Sequence, residues 1–273
     1  MLNMNIGFIG GGNMARSLIG GLANSGVSPT SLYVSDVNAE SLQKLHSDFG
    51  IHACSSNQEL VDNCDIIVLA VKPQVMKDVV SAVSIGADKK PLLITIAAGI
   101  RAESIQGWVG HDIAIVRAMP NTPALVQTGA TALYANNYCS DEQKQSAESI
   151  LRAVGLALWV DKESQMDAVT ALSGSGPAYI FLVMEAMEQA GIELGLTAEN
   201  ARLLAIQTAF GAARLALEIE EAPATLRERV TSPGGTTEQA LRVFAESELK
   251  AIFSKAMTAA RDRAIELADE LGK

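Results

Sequence analysis

Near its start the chain reads Ile6-Gly7-Phe8-Ile9-Gly10-Gly11-Gly12-Asn13-Met14-Ala15, a short apolar run followed by a glycine turn and an apolar-periodic segment. This is the pattern GxGxxG with alanine in the last place, in the strand, turn and helix setting that the pattern requires. Gly10 permits a tight turn, Gly12 lets the backbone approach a pyrophosphate, and Ala15 lets the helix pack closely on the strand. The stretch therefore predicts a dinucleotide-binding fold.

A second apolar run, residues 32–35, ends just before Asp36, at about the spacing expected for a carboxylate that binds the adenosine ribose. Asp-Val-Asn after a strand is also an ordinary turn, so ribose binding and a turn role are both open for Asp36. A carboxylate here favours the 2′-hydroxyl of NAD because it repels a 2′-phosphate. Ser35 and Asn38 can both donate hydrogen bonds to a phosphate, so the choice between NAD and NADP is open as well.

Further apolar runs at 66–71, 92–96 and 113–116 alternate with helical segments. Continuous apolar strands between helices are typical of a parallel sheet covered on both faces. Strand-like runs follow at 133–135 and 156–160, and the helix between them starts with a capping box from Ser140 to Gln143. The pattern predicts an α/β fold with an N-terminal, Rossmann-like, mostly parallel, doubly wound sheet.

The segments that follow these strands are candidate site residues, because ligands of such sheets gather at the carboxyl ends of the strands. Lys72-Pro73 is also compatible with a strand stop and a solvated lysine. Ala97-Ala98-Gly99 has the small side chains that close contact with a nicotinamide ring needs, and tight helix packing is the alternative. Asn121 lies between two prolines, so its amide either points into a cleft or shapes a rigid turn.

From about residue 163 the hydrophobic period changes and no strand pattern recurs. Helices are predicted at 163–190, 198–218, 236–246 and 248–270, with a second capping box from Thr225 to Glu228. We therefore divide the chain into a dinucleotide-binding domain, 1–162, and an all-helical domain, 163–273. Residues 180–184 are apolar on nearly every face, which predicts either homo-oligomerisation or a helix packed between two domains. The glycines of 172–177 bring this helix close to the cofactor or only permit close helix contact.

The segment 231–237 precedes Glu238-Gln239-Ala240-Leu241 and describes a glycine-rich loop that leads into a helix N-terminus. Free backbone N–H groups and the positive end of the helix dipole favour a small anion there. We expect this loop to bind a carboxylate substrate. A plain helix start with Thr236 or Thr237 as the cap is the alternative.

Composition limits the possible partners. The 273 residues are 48% hydrophobic and carry a net charge of −10, which argues against nucleic acid or an anionic membrane because either needs clustered Lys and Arg. The first residues lead straight into a strand without a signal-peptide pattern, and no apolar run approaches the ~20 residues of a membrane span. We therefore expect a cytoplasmic protein with a small-molecule substrate.

The three cysteines, Cys54, Cys64 and Cys139, lack metal-ligand spacing, so reduced thiols and no metal site are predicted.

Six motifs, in order and over essentially the full chain, resemble the pyrroline-5-carboxylate reductase family. They are Gly7-Phe8-Ile9-Gly10 with Asn13-Met14-Ala15, Ala70-Val71-Lys72-Pro73, Ala97-Ala98-Gly99, Arg117-Ala118-Met119-Pro120-Asn121-Thr122-Pro123, Leu172-Ser173-Gly174-Ser175-Gly176-Pro177-Ala178-Tyr179 and Thr231-Ser232-Pro233-Gly234-Gly235-Thr236-Thr237. The resemblance implies reduction of 1-pyrroline-5-carboxylate to L-proline with NADPH or NADH, the last step of proline biosynthesis. It also implies a C-terminal all-helical dimerisation domain that forms an intertwined homodimer, often assembled into decamers.

The resemblance further implies which residues form the site. The cofactor residues would be Gly10, Gly11, Gly12, Asn13, Met14, Ser35, Asn57, Ala70, Val71, Lys72, Pro73, Ala97, Ala98 and Gly99, to which the strand-end argument adds Asp36 and Asn121. The substrate residues would be Ser232, Gly235, Thr236 and Thr237, with Glu220 in addition. We assign the Thr237 hydroxyl to the imine nitrogen and the loop N–H groups to the carboxylate. At the position of Asp36, NADP-preferring members of the family tend to have residues that can bind a phosphate, and this chain differs from them there.

Two other classes of protein share parts of this pattern. β-Hydroxyacid dehydrogenases and other imine reductases have a similar architecture, but the former place a catalytic lysine on the long interdomain helix. This chain has no lysine between Lys162 and Lys250. A non-catalytic dinucleotide sensor would not need the loop at 231–237. No residue of the sequence is an evident general acid, and a substrate already protonated as an iminium needs none.

Overall fold

The computed structural model describes residues 4–86 and 89–273 of the chain. An eight-stranded sheet with the order β3-β2-β1-β4-β5-β6-β7-β8 forms the centre of the α/β part. The strands are β1 Ile6–Ile9, β2 Leu32–Ser35, β3 His52–Ala53, β4 Ile66–Leu69, β5 Leu92–Thr95, β6 Ile115–Met119, β7 Gly129–Ala135 and β8 Gly155–Trp159. Pairing is parallel from β3 to β6, antiparallel between β6 and β7, and parallel between β7 and β8. This confirms the predicted Rossmann-like, mostly parallel sheet.

Helices cover both faces of the sheet. They are α1 Asn13–Asn24, α2 Ala39–Phe49, α3 Asn57–Asn63, α4 Met76–Ser81, α5 Ala102–Val109, α6 Asp141–Arg152 and α7 Gln165–Val169. Along β1, Ile6 and Phe8 belong to a buried cluster with residues of α1, α2 and α6, whereas Ile9 belongs to a second cluster with residues of α3, α4 and α5. Alternate residues of a strand point to opposite faces, so a continuous apolar strand supplies both cores.

The remaining helices are α8 Gly176–Glu193, α9 Ala198–Glu218, α10 Pro223–Arg229, α11 Thr236–Glu246 and α12 Leu249–Leu271. The bounds predicted for α9 and α11 agree with the structure. The helix predicted at 163–190 is interrupted, because a π-helical turn, Thr170–Gly174, separates α7 from α8. Here Ser175 donates its N–H to the carbonyl of Thr170, one residue further back than in an α-helix.

The predicted capping box from Thr225 to Glu228 is wrong. Helix α10 begins at Pro223 with Ala222 as its N-cap, and no side chain caps it. Proline favours the first helical position because its φ is already helical and the N–H it lacks would be unpaired there. Thr225 therefore lies inside the first turn, where its hydroxyl cannot cap the helix. The capping box from Ser140 to Gln143 is confirmed at the start of α6.

Contacts divide the chain into two compact units. The first contains the sheet and runs to Ser175, and it also includes Ala260–Lys273, the end of α12. The second is Gly176–Ala259. These limits differ from the predicted ranges 1–162 and 163–273, because residues 163–175 contact strands of the sheet. The Arg117 side chain of β6, for example, forms an ion pair with Glu163 at 3.3 Å.

In the second unit, α8 and α9 pack against each other at a close approach of Gly191 to Ala201. Few of their side chains are buried in the single chain. Phe181 and Leu182 in the apolar run of α8 are 62% and 64% exposed. A helix that is apolar all round is stable only when all of its sides are buried. In the single chain, the apolar side chains of α8 are still exposed to solvent.

No helix in the described part of the chain is both long and apolar enough to cross a membrane. The described residues also contain no group of three or more His, Cys, Asp or Glu side chains that could hold a metal ion. The three cysteines are free, and Cys54 and Cys64 are buried. Burial raises the pKa of Cys54 to about 11 and that of Cys64 to about 12, so both thiols are protonated at neutral pH.

Candidate active site

The turn after β1 is held by backbone contacts that only glycine permits. Gly10 has a φ of +101°, and its N–H donates to the Ser35 carbonyl at 2.8 Å. A Cβ at this position would lie 2.7 Å from the carbonyl oxygen of Ala70, at the end of β4. Gly10 is therefore required because the chain approaches the neighbouring strand end closely in a left-handed conformation.

The N-terminus of α1 is open to a ligand. Gly12 is its N-cap with φ −69°, no side chain caps the helix, and its first turn has no acidic residue. A Cβ at Gly12 would have no atom within 4 Å. No group in the described part of the chain accepts a hydrogen bond from the N–H groups of Gly12, Asn13 or Met14. Free donors at the positive end of a helix dipole fit a pyrophosphate, as the glycine pattern predicts.

Asp36 acts as a turn residue that also supports the glycine loop. Its Oδ1 accepts the N–H of Asn38 at 2.7 Å, and its Oδ2 accepts the N–H of Gly11 at 2.5 Å. The turn role that was open for this residue is thus observed, while the ribose contact stays a prediction. Beside it, the buried Ser35 hydroxyl donates to the Asn57 side-chain oxygen at 2.8 Å. These polar groups lie at the carboxyl end of β2, on the same edge of the sheet as the glycine turn.

The predicted residues after β4 and β5 reach the same edge. Ala70 donates its N–H to the Ile9 carbonyl at 2.8 Å, and Lys72 is an exposed residue that precedes the 3₁₀ turn Pro73–Val75. Gly99 has a φ of +71°, and a Cβ there would lie 3.3 Å from the Leu267 side chain of α12. Gly99 therefore packs tightly against a helix, as the alternative interpretation of 97–99 predicts. Contact with nicotinamide stays a prediction for this segment.

Asn121 shapes the loop after β6. Its Nδ2 donates to the Ser173 carbonyl at 3.0 Å, and its Oδ1 accepts the N–H of Ala130 at 2.9 Å. Both ends of the amide thus bind backbone, which ties the loop to β7 and to the π-helical turn. Gly174 of that turn packs against Met119 so closely that a Cβ would lie 2.5 Å from the methionine Cε. The small residues of the motif permit this approach.

A buried ion cluster at β6 was not predicted from the sequence. Arg117 is only 3% exposed and forms ion pairs with Glu163 and Asp167. Arginine within a strand of mostly apolar residues is a sequence signal, because a buried guanidinium requires carboxylate partners. The partners could not be identified from spacing, since they lie about fifty residues away in the chain.

The candidate substrate loop lies in the second unit, where it precedes α11. Gly234 has a φ of +70°, Gly235 is the N-cap of α11, and no side chain caps the helix. The alternative with a threonine cap is therefore not what the structure shows. The Ser232 carbonyl accepts the N–H of Gly235 at 2.9 Å, and the Glu238 carboxylate accepts that of Gly234 at 2.8 Å.

Two of the loop donors are free for an anion. No group in the described ranges accepts a hydrogen bond from the N–H of Thr236 or Thr237, the first two residues of α11. A carboxylate can use these two donors without displacing an existing bond. Ser232 and Thr236 are exposed and Thr237 is half-buried. Glu220 is an exposed residue between α9 and α10.

The structure thus gathers the predicted cofactor residues along one edge of the sheet in the first unit, at the ends of β1, β2, β4, β5 and β6. Asn57, at the start of α3, joins them through Ser35. The predicted substrate residues form a separate group in the second unit. Each group includes a helix N-terminus with free backbone donors, at α1 and at α11.

Two family models match the chain. The model described as "Pyrroline-5-carboxylate reductase dimerisation" matches residues 163–267, and the model described as "NADP oxidoreductase coenzyme F420-dependent" matches residues 5–99. A pyrroline-5-carboxylate reductase of Pseudomonas aeruginosa is 50% identical over 273 residues, with 100% of each chain covered. One from Escherichia coli is 39% identical over 267 residues, which cover 97% of this chain and 99% of that one.

Solved structures agree with this relationship. A pyrroline-5-carboxylate reductase from Coxiella burnetii superposes with a TM-score of 0.93 at 48% identity, covering 97% of this chain and 98% of that chain. The pyrroline carboxylate reductase of Plasmodium falciparum, solved with NADP bound, gives a TM-score of 0.86 at 30% identity and covers 98% of this chain and 99% of that chain. With full-length identity of this size and with both matched family models in place, the chain belongs to the pyrroline-5-carboxylate reductase family.

Proposed function

We infer that this chain reduces 1-pyrroline-5-carboxylate to L-proline with NADPH or NADH. The observation that supports this most directly is the pair of free helix N-termini, because the reaction needs two anion sites. The N-terminus of α1 fits the cofactor pyrophosphate, and that of α11 fits a small carboxylate. Residues 231–237 would be superfluous in a protein that only senses a dinucleotide.

The chain's own residues supply binding and orientation. A bound reduced nicotinamide cofactor supplies the hydride that the imine carbon receives. The N–H groups of Thr236 and Thr237 hold the substrate carboxylate, and the Thr237 hydroxyl meets the ring nitrogen. As the carbon–nitrogen double bond becomes single, that nitrogen keeps the proton it already carries as an iminium. The protein therefore needs no general acid for this step.

The direct test mixes the purified protein with 1-pyrroline-5-carboxylate and NADPH or NADH, and follows the absorbance of the reduced cofactor together with the proline formed. We expect one proline for each cofactor oxidised. A folded protein that oxidises neither cofactor with this substrate would contradict the proposed function.

Cofactor preference is a further prediction at Asp36. If its carboxylate faces the adenosine ribose, Asp36→Ser should shift the preference toward NADPH by on the order of tenfold, or ~1.4 kcal/mol, because charge repulsion is relieved. The preference is measured as the ratio of kcat/KM for NADPH to that for NADH. This ratio is informative even though serine cannot keep both hydrogen bonds of Asp36, since a damaged turn weakens both cofactors together.

Asp36→Asn is the matched control, because it keeps the shape and removes only the charge. It should shift the ratio in the same direction. If the ratio stays flat in both variants, Asp36 is a turn residue without a role in cofactor choice.

We also propose that the chain forms a homodimer through α8 and α9, assembled further into a decamer as a pentamer of dimers. The exposed apolar side chains of α8 support the dimer. Changing Phe181 and Leu182 together to glutamate should yield a monomer at micromolar concentration, because two charges cannot be buried there without partners. Lys44→Glu, at an exposed position of α2 in the first unit, adds a glutamate outside α8 and α9, so it should leave the assembly intact.

Sedimentation velocity of the full chain and the variants measures the assembly. A wild-type chain that sediments as a folded monomer would contradict the dimer, and a wild-type dimer without larger species would contradict the decamer. We propose a cytoplasmic location as well, which the three free cysteines support because thiols persist in a reducing compartment.

A further inference from the structure

A buried ion cluster connects β6 with residues that precede and begin α7. The Arg117 side chain is 4% exposed, and its Nη1 lies 3.3 Å from Oε1 of Glu163. Its Nη2 lies 3.6 Å from Oδ1 of Asp167, a residue that is 8% exposed. One guanidinium thus faces two carboxylates in a largely dry environment. Such a cluster requires well-defined geometry, since removing one partner leaves an uncompensated charge.

Glu163 has a second partner outside the cluster. The Oε1 atom that faces Arg117 also accepts the N–H of Ala102 at 2.8 Å. Ala102 is the first residue of α5, whose N-cap, Arg101, provides no side-chain cap. Glu163 therefore caps α5 from a distant part of the chain, and its negative charge lies at the favourable end of the helix dipole. Arg117 orients the carboxylate that forms this cap.

Only Ile100 and Arg101 separate Ala97-Ala98-Gly99 from α5, so the cap of α5 also anchors that segment. At the other end, the N–H of Ala97 donates to the Thr95 hydroxyl at 3.3 Å. Thr95 of β5 is the register partner of Arg117 in β6. Arg101 adds an ion pair with Asp269 of α12 at 2.7 Å. The segment is thus bonded at its start to Thr95 of β5, the strand that pairs with β6, and is anchored at its end by the carboxylate that Arg117 orients.

We propose that Glu163, oriented by Arg117, is a positioning residue that holds Ala97-Ala98-Gly99 in the conformation that receives the nicotinamide end of the cofactor. This inference rests on the proposed cofactor role of that segment. Glu163 acts through the Ala102 N–H and not by touching the cofactor. Asp167 contributes charge to Arg117 and has no hydrogen bond to the segment.

Two conservative variants of the full-length protein distinguish the effect of side-chain length at Glu163 from the effect of its charge. Glu163→Asp keeps the charge but is one methylene shorter, so it cannot face Arg117 and bind the Ala102 N–H from the same position. Glu163→Gln loses the charge but keeps an oxygen at the same distance. We expect Glu163→Asp to raise the cofactor KM roughly tenfold and Glu163→Gln to raise it less than about threefold, because the bond to the N–H is what matters.

Hydrogen exchange of the backbone amides tests positioning independently of activity. In the absence of cofactor, peptides covering residues 97–103 should exchange faster in Glu163→Asp than in the wild type or in Glu163→Gln. The KM for 1-pyrroline-5-carboxylate should change less than about twofold, since the substrate loop lies elsewhere in the chain. A general loss of stability would not produce this split between the two KM values.

Asp167→Asn is the matched control, because it removes a carboxylate charge from the same guanidinium without touching α5. It should lower the thermal midpoint while leaving the cofactor KM and the exchange of 97–103 close to wild type. The proposal is overturned if Glu163→Asp leaves exchange unchanged, if Glu163→Gln is as damaging as Glu163→Asp, or if Asp167→Asn raises the cofactor KM equally.

Faster exchange in Glu163→Asp with an unchanged cofactor KM would overturn both this inference and the assignment of 97–99 to the cofactor. It would not affect the reaction itself, which the wild-type assay decides. A wild type without reductase activity would instead contradict the proposed function, while the exchange data would still report whether Glu163 orders the segment.

Discussion

Gly12→Val is expected to abolish cofactor binding while the chain stays folded. The φ of −69° at Gly12 is one that valine adopts readily, and a Cβ there would have no atom within 4 Å. The protein itself therefore tolerates the side chain. A branched side chain at this N-cap would instead occupy the approach path of the pyrophosphate to the free N–H groups of α1.

Titration of NADPH and NADH fluorescence measures the effect, and thermal unfolding of the same samples confirms the fold. We expect the Kd of both cofactors to rise at least ~100-fold, equivalent to ~2.7 kcal/mol. Gly10 is unsuitable for this test, because its left-handed φ and the nearby Ala70 carbonyl make any side chain there damage the fold itself.

Gly107→Val provides the matched control. Gly107 lies in α5 and is exposed, and a Cβ at this position would likewise have no atom within 4 Å. The same change of residue type there should leave cofactor affinity unchanged. Unaltered affinity in Gly12→Val, with a normal thermal midpoint, would reject α1 as the pyrophosphate site.

Thr237→Val should lower kcat by ~10- to 100-fold while changing KM much less. Valine keeps the shape of threonine but removes the hydroxyl that we assign to the substrate nitrogen, and the backbone N–H groups of α11 still hold the carboxylate. One hydrogen bond to a charged centre contributes about 1.5–3 kcal/mol, which sets the size of the effect. The loss falls on kcat because the hydroxyl donates to the lone pair that develops on the nitrogen as the hydride reaches the carbon, so the bond is stronger in the transition state than with the bound iminium.

Thr236→Val is the control for this assignment. Thr236 precedes Thr237 in α11 but is exposed, whereas Thr237 is half-buried, and we assign Thr236 a backbone role only. Steady-state kinetics of both variants, with 1-pyrroline-5-carboxylate varied at saturating cofactor, separates the two positions. Full kcat in Thr237→Val, or a larger loss in Thr236→Val, would show that the Thr237 hydroxyl does not meet the reacting nitrogen.

Most of the α/β fold could be predicted because its signals are local. The run from Ile6 to Ala15 contains its own strand, turn and helix start, and the neighbouring strands are continuous apolar segments. A strand buried on both faces needs such a run wherever it lies in the sheet. Helix ends were less predictable. The predicted Thr225 capping box was wrong, and the alternative of a threonine cap at α11 was not observed, because several residues near a helix start can take the N-cap position, and Ala222 and Gly235 take it here.

The sequence by itself determined the class of the protein, its two candidate anion sites and the order of its motifs, since each depends on residues within one short stretch. Only the tertiary structure decided how those stretches are supported. Asp36 accepts a hydrogen bond from the glycine loop, both ends of the Asn121 amide are hydrogen-bonded to backbone groups, and Glu163 caps α5 beside the buried Arg117. These contacts join residues 9 to 61 positions apart, and no local pattern encodes them, because any carboxylate or amide of suitable length can make such a bond once the fold brings it within reach.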